Sequence, residues 1–343
     1  GSKPVYWCLE CGSALAEAEV DYRQKTSTAI DVGFTVVDKA ALFERFECLE
    51  GAHREWPVVF PIWTTTPWTL PGNQAVALHP EMTYALVLAE HKHHPVYFVL
   101  AHDLLAQVLP TYGFETYQVM ATVEGRSLEG LALQHPFQAR QVPIVLAGHV
   151  TVDTGTGCVH TAPAHGPDDY YVAKQYDLPI EDPTTDAGVY ASYVDPLAGV
   201  HIRKADQHVL TLLKDRDVLW QEGQIEHSYP HCWPHKTPLI FRETPQWFIS
   251  MDKQGLRQAT LAQIKNVKWL PDWGKARMTQ MIENRPDWCI SRQRAWGTPI
   301  PLFIHKETRA CHPQTLRWLE DIAQRVEQQG VEAWFALDPV DYL

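Results

Sequence analysis

Hydrophobic and polar positions alternate with two different periods along this chain. From about residue 28 to 200 the period is two: "AIDVGFTVVD" (29–38), "YALVLAE" (84–90), "VYFVLA" (96–101), "RQVPIVLAGHV" (140–150) and "GCVHTAP" (157–163) read as strands. Together they predict a barrel or a strongly bent mixed sheet. Two helices interrupt them. One is "AHDLLAQVLPTYG" (101–113), up to its proline. The other is "PDDYYVAKQYDLP" (167–179), where Pro167 suits the first helical turn and Asp168 and Asp169 favour the positive end of the helix dipole. Further on the period lengthens to that of a helix in "KADQHVLTLLKDRDVL" (204–219), and again in "QTLRWLEDIAQRVEQQG" (314–330). The latter is expected to bury Leu316, Leu319, Ile322, Ala323 and Val326 on one face and to stop at Gly330. Near the N-terminus, "PVYWCLECGSALAEAEVDY" (4–22) suggests a tight CxxC turn followed by a strand or short helix. A proline-rich run follows at 227–250, and "HKHH" (91–94) reads as a solvated hairpin loop. No repeat of 20 to 50 residues is visible.

Composition adds limits to that picture. With 343 residues, 45% of them hydrophobic, the chain can build two or three compact domains with cores of their own. No run of eighteen apolar residues and no charged-then-apolar leader occurs, so neither a membrane span nor a signal peptide is expected. Seven cysteines, an odd number, fit a reducing compartment and a metal role better than a disulfide framework, which makes the cytoplasm the expected location. A net charge of −12 argues against an overall nucleic-acid footprint. Locally the balance reverses: nine lysines and arginines between 251 and 300, from Lys253 to Arg294, face four acids, as a phosphate-facing surface would.

The chemistry-bearing residues fall into two groups. Cys8 and Cys11 form a CxxC, and Cys232 with His235 a CxxH far downstream. Three thiolates and one imidazole suit a tetrahedral zinc ion that clamps the two ends of an insertion, with His231 as a competing fourth ligand. Cys48, Cys158, Cys289 and Cys311 have no such spacing and read as core or surface thiols. The second group joins "WTTTPWTLPGN" (63–73) to "GTGCVHTAPAHGPDDY" (155–170). Hydroxyls and the Asn73 amide are neutral donors and acceptors, suited to gripping a sugar edge and orienting water. His160 and an aspartate at the start of the next helix can face one cleft, or else His160, His165 and Asp168 could bind a metal. The acids also have an ordinary role as helix caps. No nucleophile elbow, HExxH or Walker loop is present.

These two stretches, with "SYPHCWPHKTPLIFRETPQWF" (228–248) and "RPDWCISRQRAWGTPIP" (285–301), closely resemble the bacterial isoleucyl type of class I aminoacyl-tRNA synthetases, over essentially the whole chain. Valyl and leucyl relatives carry an arginine after two threonines, where this chain has Thr66 followed by Pro67 and Trp68. Neither nucleotide-binding signature of the class occurs, so the resemblance implies the editing insertion and its surroundings. The implied fold class is α+β, a strand-rich barrel-like editing domain in a zinc-stapled stalk with a helical C-terminal part. The stalk would occupy 1–27 and 212–245, the editing domain 28–211, a return segment toward the catalytic domain 246–300, and part of a further insertion 301–343. Arg292 and Arg294 would pack against that catalytic domain. The implied activity is hydrolysis of valine wrongly esterified to the isoleucine tRNA, by a monomer that needs no cofactor beyond structural zinc. By position, Thr64, Thr65, Thr66 and Asn73 would bind the 3′ end and place the water. Asp169 would hold the substrate ammonium and His160 would wall out isoleucine, while Trp63, Trp68, Asp168 and His165 would shape the pocket. A metal-dependent hydrolase and a non-catalytic zinc-stapled tRNA-binding module remain the alternatives.

Overall fold

The computed structural model describes residues 1–47, 53–294 and 297–342; Cys48 lies outside the described residues. The chain divides into two compact units, Gly1–Ile290 and Ser291–Leu343.

The first unit is built on a large mixed sheet with helices against it. Its long members are β3 (Val20–Val36) and β12 (Leu219–Cys232), an antiparallel ribbon paired from Val20 opposite Cys232 up to Val32 opposite Leu219. At one end the ribbon meets a three-stranded sheet of β1 (Ser2–Cys8), β2 (Ser13–Leu15) and β13 (Ile240–Pro245). Toward the other end β3 joins β4 (Val58–Thr64) on one side and β9 (Ala132–Gln134) on the other. From β9 the pairing continues through β10 (Gln141–Leu146), β5 (Ala75–Leu78) and β11 (Val159–Thr161) back to β4, so it returns on itself. Beyond β4 lie β7 (His94–Ala101), β6 (Thr83–His91) and β8 (Gln118–Glu124). The β6–β7 hairpin turns at Lys92 and His93, both at positive φ (50° and 65°), so the histidine run is a tight hairpin turn as its sequence suggested. A short pair, β14 (Phe248–Ile249) with β15 (Trp288–Cys289), completes the unit.

The all-apolar "AVAL" of β5 has two buried faces. Val76 and Leu78 point into the main core, which Phe34, Phe60, Tyr97 and Phe98 fill, whereas Ala75 and Ala77 face Val145, Val150 and Val172. Val172 belongs to the helix Pro167–Tyr176, so two alanine side chains on β5 let that helix lie close to the sheet. This packing is what brings its first turn, with Asp168 and Asp169, to the end of β11. The helix Ile202–Asp215 buries Ile202, Ala205, Val209 and Leu213 at the spacing its sequence predicts. The expected helix near 101–113 is shorter, Leu105–Val108 between 3-10 turns, because Pro110 denies it a continuous run of donors.

In the second unit the helix Thr315–Gln329 ends before Gly330, at φ 80°, as predicted. Its buried face is different. Trp318 and Ile322 are the buried residues, and Leu316 is 83% exposed. Trp318 stacks on His312 and meets Phe303 and Tyr342 edge-on, so an aromatic cluster sets the helix rotation in place of the leucine stripe.

Candidate functional site

The three consecutive threonines mark the point where β4 stops being a strand. Thr64 Oγ1 accepts from the Thr66 amide at 3.1 Å, an ST-type turn that ends the ladder. Pro67 then opens a 3-10 segment, Pro67–Gly72, closed by Thr69 N–H to Thr66 O (2.9 Å) and Asn73 N–H to Leu70 O (3.0 Å). Thr69 Oγ1 donates back to Thr66 O at 2.9 Å, and the hydroxyls of Thr64, Thr66 and Thr69 are spaced 3.3 Å apart in sequence. Thr65 is half-exposed and its hydroxyl makes no hydrogen bond among the described residues.

His160 meets this turn from β11, where it lies opposite Val76 and so points to the core side, while Val159 points to the helix side. Just before β11, Gly157 at φ 78° passes so near Ala101 that a Cβ would come within 2.4 Å of the alanine methyl. The amide nitrogen of Asn73 donates to Ala75 O (2.9 Å) and to His160 Nδ1 (2.7 Å). A carbonyl can only accept, so the amide orientation is settled, and with it the imidazole tautomer. Nδ1 is bare and the proton sits on Nε2, which donates to Thr69 Oγ1 at 2.9 Å. Burial, with smaller contributions from His165 and Arg140, pushes His160 down to about 3. The ring is neutral and both nitrogens are occupied. Among the described residues Asn73 Oδ1, beside the ring, and Thr161 Oγ1, on the other face of β11, are buried without a partner.

Asp169, in the first turn of its helix, also belongs to the end of β11: its Oδ2 accepts from Ala162 N–H at 2.8 Å. Burial raises this carboxyl to about 7, and the neighbouring Asp168 charge adds to the rise against the amide hydrogen bond. Asp168 itself is exposed and lines a separate depression with His149, Tyr171 and Tyr176. His165 is likewise not brought to the threonines. Its Nδ1 donates to Phe241 O of β13 (3.1 Å), its ring lies edge-on to Trp68 at 4.8 Å, and Nε2 is 3.9 Å from Asp182, which Arg242 holds at 2.6 Å. Trp68 is buried, and its carbonyl accepts from the Tyr190 hydroxyl. Trp63 is half-buried in β4 against Gly155. His160, His165 and Asp168 therefore do not converge, which removes the metal-hydrolase alternative. Among the described residues the only group positioned to hold a metal is a different one.

That group is Cys8, Cys11, Cys232 and His235, whose ligand atoms all lie within 4.8 Å of one another. Cys11 Sγ is 3.8 Å from Cys232 Sγ, and His235 Nδ1 lies 3.7, 3.3 and 3.6 Å from the sulfurs of Cys8, Cys11 and Cys232. A tetrahedron with metal–sulfur bonds of about 2.3 Å and metal–nitrogen bonds of about 2.0 Å has edges of roughly 3.8 and 3.5 Å. The Cys11 amide points at Cys8 Sγ (3.4 Å), and Gly12 turns the chain at φ 56°. His231, the competing ligand, instead donates from Nδ1 to Tyr229 O at 2.8 Å and is outside the group. Of the other cysteines, Cys158 and Cys289 are buried and Cys311 is exposed.

The family description "tRNA synthetases class I (I, L, M and V)" matches residues 1–343. The chain belongs to the class I tRNA synthetases. Within the curated members of this synthetase family it is similar to the isoleucine–tRNA ligase of Legionella pneumophila (strain Paris), at 54% identity over all of this chain and 36% of the relative. It is equally similar to those of Methylococcus capsulatus, 54% over 100% of the chain and 36% of the relative, and Coxiella burnetii, 54% over 99% and 36%. The chain thus spans about a third of the length of the synthetases it matches. Among solved structures it is similar to the P. knowlesi cytosolic leucyl-tRNA synthetase editing domain, at 13% identity and a TM-score of 0.46 over 58% of this chain and 98% of that one.

Sequence reasoning passed over one member of the site. Thr69 stands three residues after Thr66 across Pro67, within the same quoted motif, and that spacing is the signal that could have found it.

Proposed function

We propose that this chain is the editing region of an isoleucyl-tRNA synthetase and hydrolyses the ester of valine wrongly attached to the isoleucine tRNA. The observation that carries the reading is the His160 cradle. A neutral imidazole, locked by Asn73 and Thr69, stands beside the threonine turn and shares the end of β11 with a carboxylate. An aminoacyl ester is already activated, so a site that orients water and stabilises a developing oxyanion suffices, without a covalent intermediate. With both nitrogens occupied, His160 is poorly placed to be a general base and well placed to be a rigid wall against isoleucine. Thr65, with its uncommitted hydroxyl, and Thr66 would place the water and the terminal ribose, with Thr64 fixing their turn. Asp169 would pair with the substrate ammonium, whose charge draws the carboxyl back to its ionised form. A second sieve is needed because one methylene in an apolar pocket discriminates by only about 1–3 kcal/mol, a limit whose standard illustration is isoleucine against valine.

The ring of strand pairings through β3, β9, β10, β5, β11 and β4 supports a barrel-like editing body, and the β3–β12 ribbon a stalk. Cys8, Cys11, Cys232 and His235 would hold structural zinc: their edges fit a closed tetrahedron, and a site with four protein ligands supplies folding energy and leaves no position for substrate. The basic residues after 250 would face tRNA only in part, since Arg257 is tied to Asp252 and to the carbonyls of Ile282 and Glu283. In the whole synthetase the partners would be the tRNA 3′ end and the catalytic domain, in a cytoplasmic monomer.

The test is release of amino acid over time from Val-tRNA and Ile-tRNA, both charged on the isoleucine tRNA. Hydrolysis of the valyl ester alone is expected. In His160→Ala the isoleucyl ester should become a substrate; an unchanged preference with a rate lower by ~10²-fold would point to a base instead.

A further inference from the structure

The 3-10 segment Pro67–Gly72 has a second proline in its interior, and a proline supplies no amide hydrogen. In the i to i+3 pattern that Thr69 N–H to Thr66 O and Asn73 N–H to Leu70 O follow, the donor due to the Trp68 carbonyl is the amide of residue 71, which is Pro71. A donor arrives instead from 122 residues away, because the Tyr190 hydroxyl donates to Trp68 O. The carbonyls that follow are held in the same manner. Gln74 N–H is committed to Thr161 O (2.9 Å), and Pro71 O receives Arg140 Nη2 at 2.7 Å. Leu70 O takes His135 Nε2 at 3.0 Å beside the Asn73 amide.

Tyr190 is built for this duty. It is 2% exposed, and burial raises its phenol well above the ordinary value, so the hydroxyl keeps its proton and stays a donor. Its backbone is tied down on both sides: Tyr190 N–H donates to Val200 O and Gly199 N–H to Tyr190 O, each at 3.0 Å. The carbonyl it holds belongs to the peptide unit joining Trp68 to Thr69, and Thr69 Oγ1 is the acceptor of the His160 Nε2 proton.

We infer that Tyr190 is a positioning residue for selectivity: its hydroxyl replaces the amide that Pro71 lacks, fixes the Trp68–Thr69 peptide and so holds His160 where the ring excludes the isoleucyl side chain. This deepens the hydrolytic function proposed above and rests on it.

A rescue experiment tests the assignment. Tyr190→Phe removes only the hydroxyl, while Pro71→Ala, added to it, returns an amide to the place the hydroxyl served. In Tyr190→Phe the ratio of Ile-tRNA to Val-tRNA hydrolysis should rise on the order of tenfold, the shift that one unmet buried carbonyl can drive. The double variant should return the ratio toward that of the unmodified chain. Leu42→Ala, which empties core volume under the helix Lys39–Arg45, should lower the melting temperature and leave the ratio alone. Spectra of ¹⁵N-histidine-labelled protein read His160 without any substrate: its Nε2–H signal should move in Tyr190→Phe and move back in the double variant. A folded Tyr190→Phe that keeps the original ratio would overturn the inference, as would a changed ratio that Leu42→Ala reproduces or Pro71→Ala fails to reverse. If the unmodified chain releases no valine from Val-tRNA, the hydrolytic reading itself fails, and an unmoved His160 signal in Tyr190→Phe would then separately remove the positioning role.

Discussion

Thr69→Val tests the cradle more sharply than removal of His160 does, because it keeps the volume of the turn and deletes only a hydroxyl. That hydroxyl accepts the His160 Nε2 proton at 2.9 Å and donates to Thr66 O at 2.9 Å. The carbonyl keeps its bond from the Thr69 amide, so its loss is small. Among the described residues the imidazole N–H has no other partner, in a site where His160 is 8% exposed, and an unpaired buried donor costs about 1–3 kcal/mol. A destabilisation of about 2 kcal/mol is therefore expected, with a fall in Tm of roughly 4–8 °C. Thr69→Ser, which keeps the oxygen, should lose much less. The functional consequence follows from the freed ring: with only Asn73 holding Nδ1, His160 can swing, and the ratio of Ile-tRNA to Val-tRNA hydrolysis should rise above that of the unmodified chain. Urea denaturation and single-turnover release from the two charged tRNAs measure the two effects. If Thr69→Val unfolds within about 0.5 kcal/mol of the parent and keeps the parent ratio, the hydroxyl neither holds the imidazole nor sets the wall.

Asp169→Ala should abolish valyl-ester hydrolysis while leaving the fold intact, since a charge-assisted bond to the ammonium contributes roughly 1.5–3 kcal/mol; activity retained there but lost in Asp168→Ala would move the role by one residue. Because burial raises Asp169 to about 7, above its unfolded value, the folded state holds the extra proton between about pH 4 and 7. Its contribution to stability therefore declines as pH rises through that window, whereas KM for Val-tRNA, which needs the ionised form, should fall. His160 works in the opposite direction. Held at about 3, it cannot take up the proton an unfolded histidine binds below about 6.5, so its contribution to stability is lost as pH falls from 6.5 toward 3, and NMR of the ring nitrogens should show the Nε2–H tautomer throughout neutral pH. Chelation, Cys232→Ser or His235→Ala should release one zinc and lower the melting temperature, while His231→Ala should keep the metal; full stability after chelation would remove the structural-zinc reading.

How much of this was legible beforehand follows from the range of each signal. Strand periods, the helix start at Pro167, the stop at Gly330 and the CxxC and CxxH pairs depend on a few adjacent residues and their spacing, and all stand in the structure. The sequence alone thus determined which groups could do chemistry and on which elements they ride. It could not decide rotation or convergence, because those depend on packing partners far away in the chain. The helix Thr315–Gln329 turned its Trp318 inward because His312, Phe303 and Tyr342 were there to receive the ring. Asp168 and Asp169, adjacent and chemically alike, parted because only the second reaches the Ala162 amide. His231 and His235, four residues apart, parted because β12 had already placed Cys232 beside Cys11. The proton on His160 was settled 87 residues away, by an Asn73 amide whose other hydrogen was committed to Ala75 O, and a buried donor can be assigned only once every neighbouring acceptor is known.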